Sequence, residues 1–259
     1  MTETFNVPTA GSAPTPAGSP SRRSLLAGVG ALAALSGLAA CAPAPAAEHE
    51  GTPAPTTPEE ALSLLKAGNE RFAAGEANHP NQGIDARTDV AGHQTPWALV
   101  HGCVDSRVAP ELVFDQGIGD MFTTRTAGAV LDDTLVGSME FAVGSPYEVP
   151  ALIILGHTGC GAVTATVDAV AADPENPQAP GEVADIVDEI APGVRDTTPV
   201  ADPSEFVDSV VSANTVAVAE ALVERSEIIR AAVAAGRTRV VPAVYNLETG
   251  LVDWAPGRA

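Results

Sequence analysis

Trp97-Ala-Leu-Val-His-Gly-Cys-Val-Asp-Ser-Arg107 and Ala151-Leu-Ile-Ile-Leu-Gly-His-Thr-Gly-Cys-Gly161 follow one plan. In each, a short apolar run that reads as a buried strand ends in a cluster of polar and metal-ligating side chains. Adjacent strands of an open parallel sheet present their carboxyl ends on one edge, and chemistry collects there. Cys103 is therefore expected to meet His157 and Cys160, although the chain separates them widely. Two thiolates and an imidazole suit Zn²⁺, and three protein ligands leave a fourth position for water or substrate. The plainer alternative makes Cys103 and Cys160 small buried hydrophobes, a common state of free cysteine. The residues around them argue against it.

His157 and Cys160 are three apart across a predicted strand-to-helix turn, where Gly159 and Gly161 let the backbone fold tightly. The helix N-terminus near Cys160 is expected to favour its thiolate. Asp105 lies two residues beyond Cys103, on the same side if the strand stays extended. A carboxylate there either binds the metal as a fourth ligand or accepts a hydrogen bond from water on it. A bidentate pair with Arg107 would hold Asp105 off the metal and keep the fourth position open. An isolated Asp-Ser-Arg would instead be a local turn. A three-ligand zinc acidifies water to a pKa of ~7, which suits attack on a small electrophilic carbon. The sequence carries neither a Gly-x-Gly-x-x-Gly fingerprint nor a phosphate-binding P-loop.

Outward from these segments, strands and helices alternate. A helix is expected from Pro58, capped by Thr57 and ended by Ala74-Gly75. Residues 78–92 read as loop, and His49, His79 and His93 as solvated side chains. A short helix over Val108–Phe114 precedes a strand at Met121–Arg125, a helix over Leu131–Val143 and a helix starting near Cys160. Further helices are expected at Val183–Ile190, Pro203–Val223 and Glu227–Ala235. Arg239–Tyr245 is a strand, and Leu251–Trp254 returns as an antiparallel edge strand. The fold class is α/β, with a mostly parallel central sheet and flanking helices.

The chain has 259 residues and a formal net charge of −20. Its first forty residues hold only Arg22, Arg23 and Glu3 as charged side chains, so the remainder carries 11 basic and 32 acidic groups, a net −21. That surface repels phosphate backbones and anionic lipid, which excludes nucleic-acid binding and leaves membrane contact to an anchor. Residues 1–40 read as a signal peptide: Arg22-Arg23 resembles a twin-arginine signal, and an apolar run follows, too short for a span of ~20 residues. Leu38-Ala-Ala-Cys41 resembles a lipobox, with Cys41 as the lipidated residue. An uncut N-terminal anchor is the alternative. Residues 41–57 form a Pro/Ala/Thr tether, and residues 58–259 form the folded domain. The protein is thus expected outside the cytoplasm, on the cell membrane as a lipoprotein, or else secreted or periplasmic. The three cysteines form no even disulfide set.

Cys-x-Asp-Ser-Arg followed by His-x-x-Cys-Gly resembles the β-class carbonic anhydrase family. Gln94-x-Pro96, Gly119-Asp-Met-Phe122, Arg125-x-Ala-Gly128, Glu140–Val143, Ser212-Ala-Asn214 and Tyr245–Gly250 extend the likeness to nearly all of 58–254. The resemblance implies reversible hydration of CO₂ to bicarbonate and a proton, with Zn²⁺ on Cys103, His157 and Cys160. It makes Asp105 a switchable fourth ligand and Arg107 the residue that holds it. Gln94 would bind substrate across a dimer interface, and Phe122 would line an apolar pocket. A homodimer or homotetramer is implied. Thr126 stands where many members have Asn, and Phe141 where many have Tyr. Two alternatives remain: a related zinc hydrolase acting on CS₂ or COS, and a non-catalytic zinc-stabilised binding module.

Overall fold

A computed structural model describes residues 54–256. The expected signal segment, Cys41 and most of the tether lie outside the described residues. The central sheet has five strands in the order β2-β1-β3-β4-β5. These are β1 (Ala98–Cys103), β2 (Met121–Thr126), β3 (Ala151–His157), β4 (Arg239–Tyr245) and β5 (Val252–Asp253). The first four run parallel, and β5 pairs antiparallel with the end of β4. The expected α/β fold with its antiparallel edge is therefore the one observed.

The apolar runs form strands because both sheet faces are covered. Every residue of β1 and β3 is buried. Successive side chains point to opposite faces. Ala98, Val100, Ile153 and Leu155 join one core with helix α1 (Pro58–Ala74) and α3 (Pro110–Val113). Leu99, Leu152 and Ile154 join the other with α4 (Asp133–Val143), α7 (Pro203–Arg225) and α8 (Glu227–Ala234). Each fully buried Leu or Ile stabilises the fold by roughly 1.5–3 kcal/mol, so the two central strands anchor both layers.

Helix α1 starts as the sequence predicts. Thr57 accepts from the Glu60 N–H, and the Glu60 carboxylate accepts from the Thr57 N–H, a reciprocal capping box. Helix α7 is apolar and long enough by composition to cross a membrane. It packs instead on β3 and β4, burying Val207, Val210, Val211, Asn214, Thr215, Val218, Ala219 and Leu222. Pro242 lies in β4 ahead of the two residues that β5 pairs, so its missing N–H falls on a stretch of strand with an open outer edge.

Two expectations need correction. Residues 78–92 are not all loop: Ile84–Asp89 forms a short helix, α2, with no buried residue. A helix without an apolar face leaves no periodic trace. Helix α6 (Val183–Asp196) does not stop at Ile190 but continues through Pro192. Proline costs one helical hydrogen bond. Here Val187, Ile190, Ala191 and Val194 form one unbroken buried stripe, and packing outweighs that loss. Helix α5 (Gly161–Ala172) follows the second ligand segment directly.

Candidate metal centre

In-register pairing of β1 with β3 sets Gly102 beside Leu155, so Cys103 and His157 leave adjacent strands at the same carboxyl edge. The chain then turns through Thr158 and Gly159, where Gly159 takes a left-handed φ of +60°, and Cys160 opens α5. This turn is tied at several points. The Thr158 N–H donates to the Tyr245 carbonyl (3.0 Å), and the Thr158 hydroxyl oxygen accepts from the Leu247 N–H (3.0 Å). The Gly159 N–H donates to Asp208 of α7 (2.8 Å).

The result is a compact donor set. One ligand atom each from Cys103, His157 and Cys160 lies within 4.8 Å of the others, and all three residues are buried. The two sulfurs are 3.9 Å apart. Tetrahedral zinc with Zn–S bonds of ~2.3 Å sets its sulfurs about 3.8 Å apart. His157 Nδ1 faces the Thr158 carbonyl at 3.0 Å, and a carbonyl only accepts, so Nδ1 carries the proton. Nε2 is then a bare lone pair. It is buried and has no hydrogen-bond partner among the described residues. A buried acceptor without a donor costs roughly 1–3 kcal/mol, and a metal ion would satisfy it. The residues present therefore fit zinc.

The sulfurs make the same point electrostatically. Left to themselves, two thiols at this spacing share one proton. The Cys160 thiol hydrogen-bonds Cys103 and draws it down to about 4 against the opposing effect of burial. The Cys103 thiolate and burial then push Cys160 well up. The expected effect of the helix start on Cys160 is present. The N–H groups of Ala162 and Val163 at the helix start do favour its thiolate, but the neighbouring sulfur outweighs them. Burial opposes charge on His157, and the nearby Cys103 sulfur overcomes it to raise that group. A dication among the three would let both sulfurs ionise.

Asp105 stands beside the donor set, outside the three-atom group. Its Oδ2 is 3.8 Å from His157 Nε2. Arg107 Nε donates to Oδ1 at 2.9 Å and Nη2 to Oδ2 at 2.6 Å, while the Arg107 backbone N–H donates to Oδ1 at 2.9 Å. The guanidinium holds the carboxyl well below the usual carboxylate range. Asp105 stays ionised, and its pairing with Arg107 persists, as pH falls through the range where free carboxylates protonate.

Gln94 and Phe122 are elsewhere in the same chain. Phe122 pairs with Leu99, four residues before the Cys103–Thr126 level. At ~3.3 Å per residue that is about 13 Å along the strands. Gln94 Nε2 donates to the Tyr147 hydroxyl (3.4 Å), and the Tyr147 ring packs edge-on against Phe122, with centroids 5.1 Å apart. These residues form their own cluster at the amino end of β2, which is an edge strand with every residue half-buried.

Sequence reasoning assigned no role to Arg125 or Asp208. Arg125 sits opposite Gly102 in the register, and its guanidinium donates to the Cys103 carbonyl (2.7 Å) and the Asp105 carbonyl (2.5 Å). It clamps the backbone on both sides of the first ligand segment. The Arg-x-Ala-Gly pattern was the available signal, but only strand order shows what it holds. A cavity of ≈ 1530 Å³ between α1, α7 and β4 is lined by none of these site residues.

A mostly parallel α/β sheet with a Cys-His-Cys donor set on its carboxyl edge, and an acid held beside it by arginine, defines a protein built around a metal. Residues 98–252 match the family model described as carbonic anhydrase. The chain is 44% identical over 199 residues to "Carbonic anhydrase 2" of Mycobacterium tuberculosis, covering 75% of this chain and 91% of that one. It is 42% identical over 200 residues to a carbonic anhydrase of Mycolicibacterium smegmatis, covering 76% and 93%. The solved β-carbonic anhydrase of Coccomyxa in complex with acetazolamide superposes with a TM-score of 0.56 at 25% identity, covering 75% of this chain and 84% of that one. The chain belongs to the carbonic anhydrase family, in its β class.

Proposed function

We propose that Cys103, His157 and Cys160 hold a zinc ion and that the protein interconverts carbon dioxide with bicarbonate and a proton. The observation that carries the reading is the bare, buried Nε2 of His157 beside two close sulfurs, in a chain of this family. Zinc bound there supplies a Lewis acid that brings the pKa of water to ~7. The chain's own residues do the rest. Asp105 offers a permanently ionised acceptor toward the site. Arg107 occupies both carboxylate oxygens, which fixes that acceptor and keeps it from taking the open position. Metal analysis with stopped-flow CO₂ hydration across pH tests the reading. Stoichiometric zinc without acceleration at any pH from neutral to alkaline would refute it.

Gln94 and Phe122 support an oligomer. Within one chain Phe122 lies about 13 Å along the strands from the ligand level, and Gln94 is joined to it through Tyr147, so both would serve the site of a second copy. A solved relative from Sordaria macrospora is described as tetrameric; at 19% identity it carries the fold only. A homodimer or homotetramer is the reading for this chain. Mixing Gln94→Ala with Cys160→Ser subunits tests it. Each hybrid dimer then holds one site with metal ligands from one chain and Gln94 from the other. Activity should rise above either parent variant; no rise after subunit exchange counts against a shared site.

Residues 1–40 and Cys41 are read as an export and lipid-attachment signal, supported by Arg22-Arg23 and Leu38-Ala-Ala-Cys41. Replacing both arginines by lysine should leave the protein in the cytoplasm, and Cys41→Ala should release it from the membrane fraction. Unchanged fractionation of both variants would remove this part of the proposal.

A further inference from the structure

Two polar side chains are buried near the metal centre without a hydrogen bond to a ligand. Asn214 of α7 is 6% exposed, and its Nδ2 donates to the Gly128 carbonyl at 3.1 Å. His101 of β1 is fully buried. Its Nε2 faces the Ala129 carbonyl at 3.0 Å, and its Nδ1 faces the Thr124 hydroxyl at 3.0 Å. The carbonyl can only accept, so Nε2 carries the proton and Nδ1 accepts from Thr124. Burial holds the ring neutral.

Both donors grip the same short turn, Ala127–Ala129, which follows β2. Gly128 and Ala129 both have left-handed φ, +66° and +55°. For Ala129 that conformation costs about 1–2 kcal/mol, so the turn needs outside support. A Cβ on Gly128 would lie 2.6 Å from Ile190 Cδ1 and 3.3 Å from Ala162 Cβ, so a side chain there would force Ile190 to shift as well as strain the left-handed backbone. In this conformation the Gly128 N–H points at Cys103 and donates to its Sγ at 3.4 Å. The two peptide groups flanking the Gly128 Cα thus work as a lever. One donates to the ligand sulfur, and the other is held by Asn214.

We propose that Asn214, with His101 bracing the same turn, is a positioning residue of the metal centre: by fixing the Gly128 turn it keeps an N–H on the Cys103 sulfur and so sets how that thiolate holds a divalent ion. This rests on Cys103 being a metal ligand. An N–H···S bond stabilises the thiolate form and draws charge from the sulfur. Losing it weakens the hold on the metal and leaves the sulfur richer in electrons.

Two measurements test the proposal. In the protein loaded with ¹¹³Cd²⁺, the Gly128 amide proton should show scalar coupling to cadmium through the Cys103 sulfur; its absence overturns the proposal. In Asn214→Leu, which fills the space without a donor, Zn²⁺ affinity measured by chelator competition should fall ~10–100-fold, as for other outer-shell partners. The sulfur-to-metal absorption band of its Co²⁺ form should move to lower energy. His101→Asn, too short to reach Ala129, should move both readouts the same way by less. A variant that melts earlier with affinity and band unchanged makes Asn214 a core residue and overturns the idea. Should Asn214→Leu not fold, the cadmium coupling of the parent decides. A parent that binds no zinc at all overturns the metal reading itself, an outcome distinct from any of these.

Discussion

Asp105→Asn is expected to keep its zinc and lose ~10²–10⁴ of its rate of CO₂ hydration, the range associated with a positioned proton acceptor. The side chain keeps its size, and none of the three ligands changes. Two properties are lost. An amide has one acceptor oxygen where the carboxylate has two, so the paired contacts of Arg107 Nε and Nη2 (2.9 and 2.6 Å) cannot both survive. The remaining Nδ2 is a donor, and it would face the site where an acceptor stood. Zinc content and stopped-flow kinetics on one preparation separate these effects. Zinc loss would make Asp105 a resident ligand, and near-parent turnover would remove it from the chemistry. Arg107→Leu complements the test. It frees a carboxylate that already stands 3.8 Å from His157 Nε2, so the acid should close the site and rate should fall although Asp105 is intact.

Parts of this site were legible in the chain because they are local. A strand followed by Cys-x-Asp-x-Arg places the acid and its arginine within one turn, and His-x-x-Cys spans one strand-to-helix junction. Pairing of the two segments followed from the rule that neighbouring parallel strands share an edge, and β1 and β3 are neighbours. The rest depends on distance in space. Nothing near Asn214 in sequence shows that it reaches the Gly128 carbonyl 86 residues away. His101 sits two residues before a ligand, yet both its ring nitrogens are engaged with Thr124 and Ala129. That occupancy makes it part of the scaffold rather than a proton shuttle. In the same way, Gln94 and Phe122 carry family-like motifs, but only the β1–β2 register shows how far Phe122 stands from its own chain's ligands, and only Tyr147 shows that Gln94 joins it.

Cys160→Ser is expected to abolish stoichiometric zinc binding, an effect larger than the ~10–100-fold that a lost outer-shell partner costs. A serine hydroxyl is nearly the size of the thiol, and Cys160 is 3% exposed, so packing around it changes little. What changes is the donor set: one sulfur and one imidazole remain of three ligands. Binding to the folded state alone stabilises it by about 4 kcal/mol when zinc stands a thousandfold above its Kd. For a domain of this size that corresponds to roughly 8–16 °C in Tm. The parent stripped by a chelator should therefore melt close to Cys160→Ser, and adding zinc back should raise only the parent. Serine also leaves Cys103 without the thiol that draws it down to about 4, so the pair's shared proton has no counterpart in the variant. If Cys160→Ser retained one zinc per chain and the parent's Tm, the second sulfur would be a spectator. The 3.9 Å approach of Cys103 to Cys160 would then be packing, and the metal would have to be held by His157, Cys103 and the acid that Arg107 restrains.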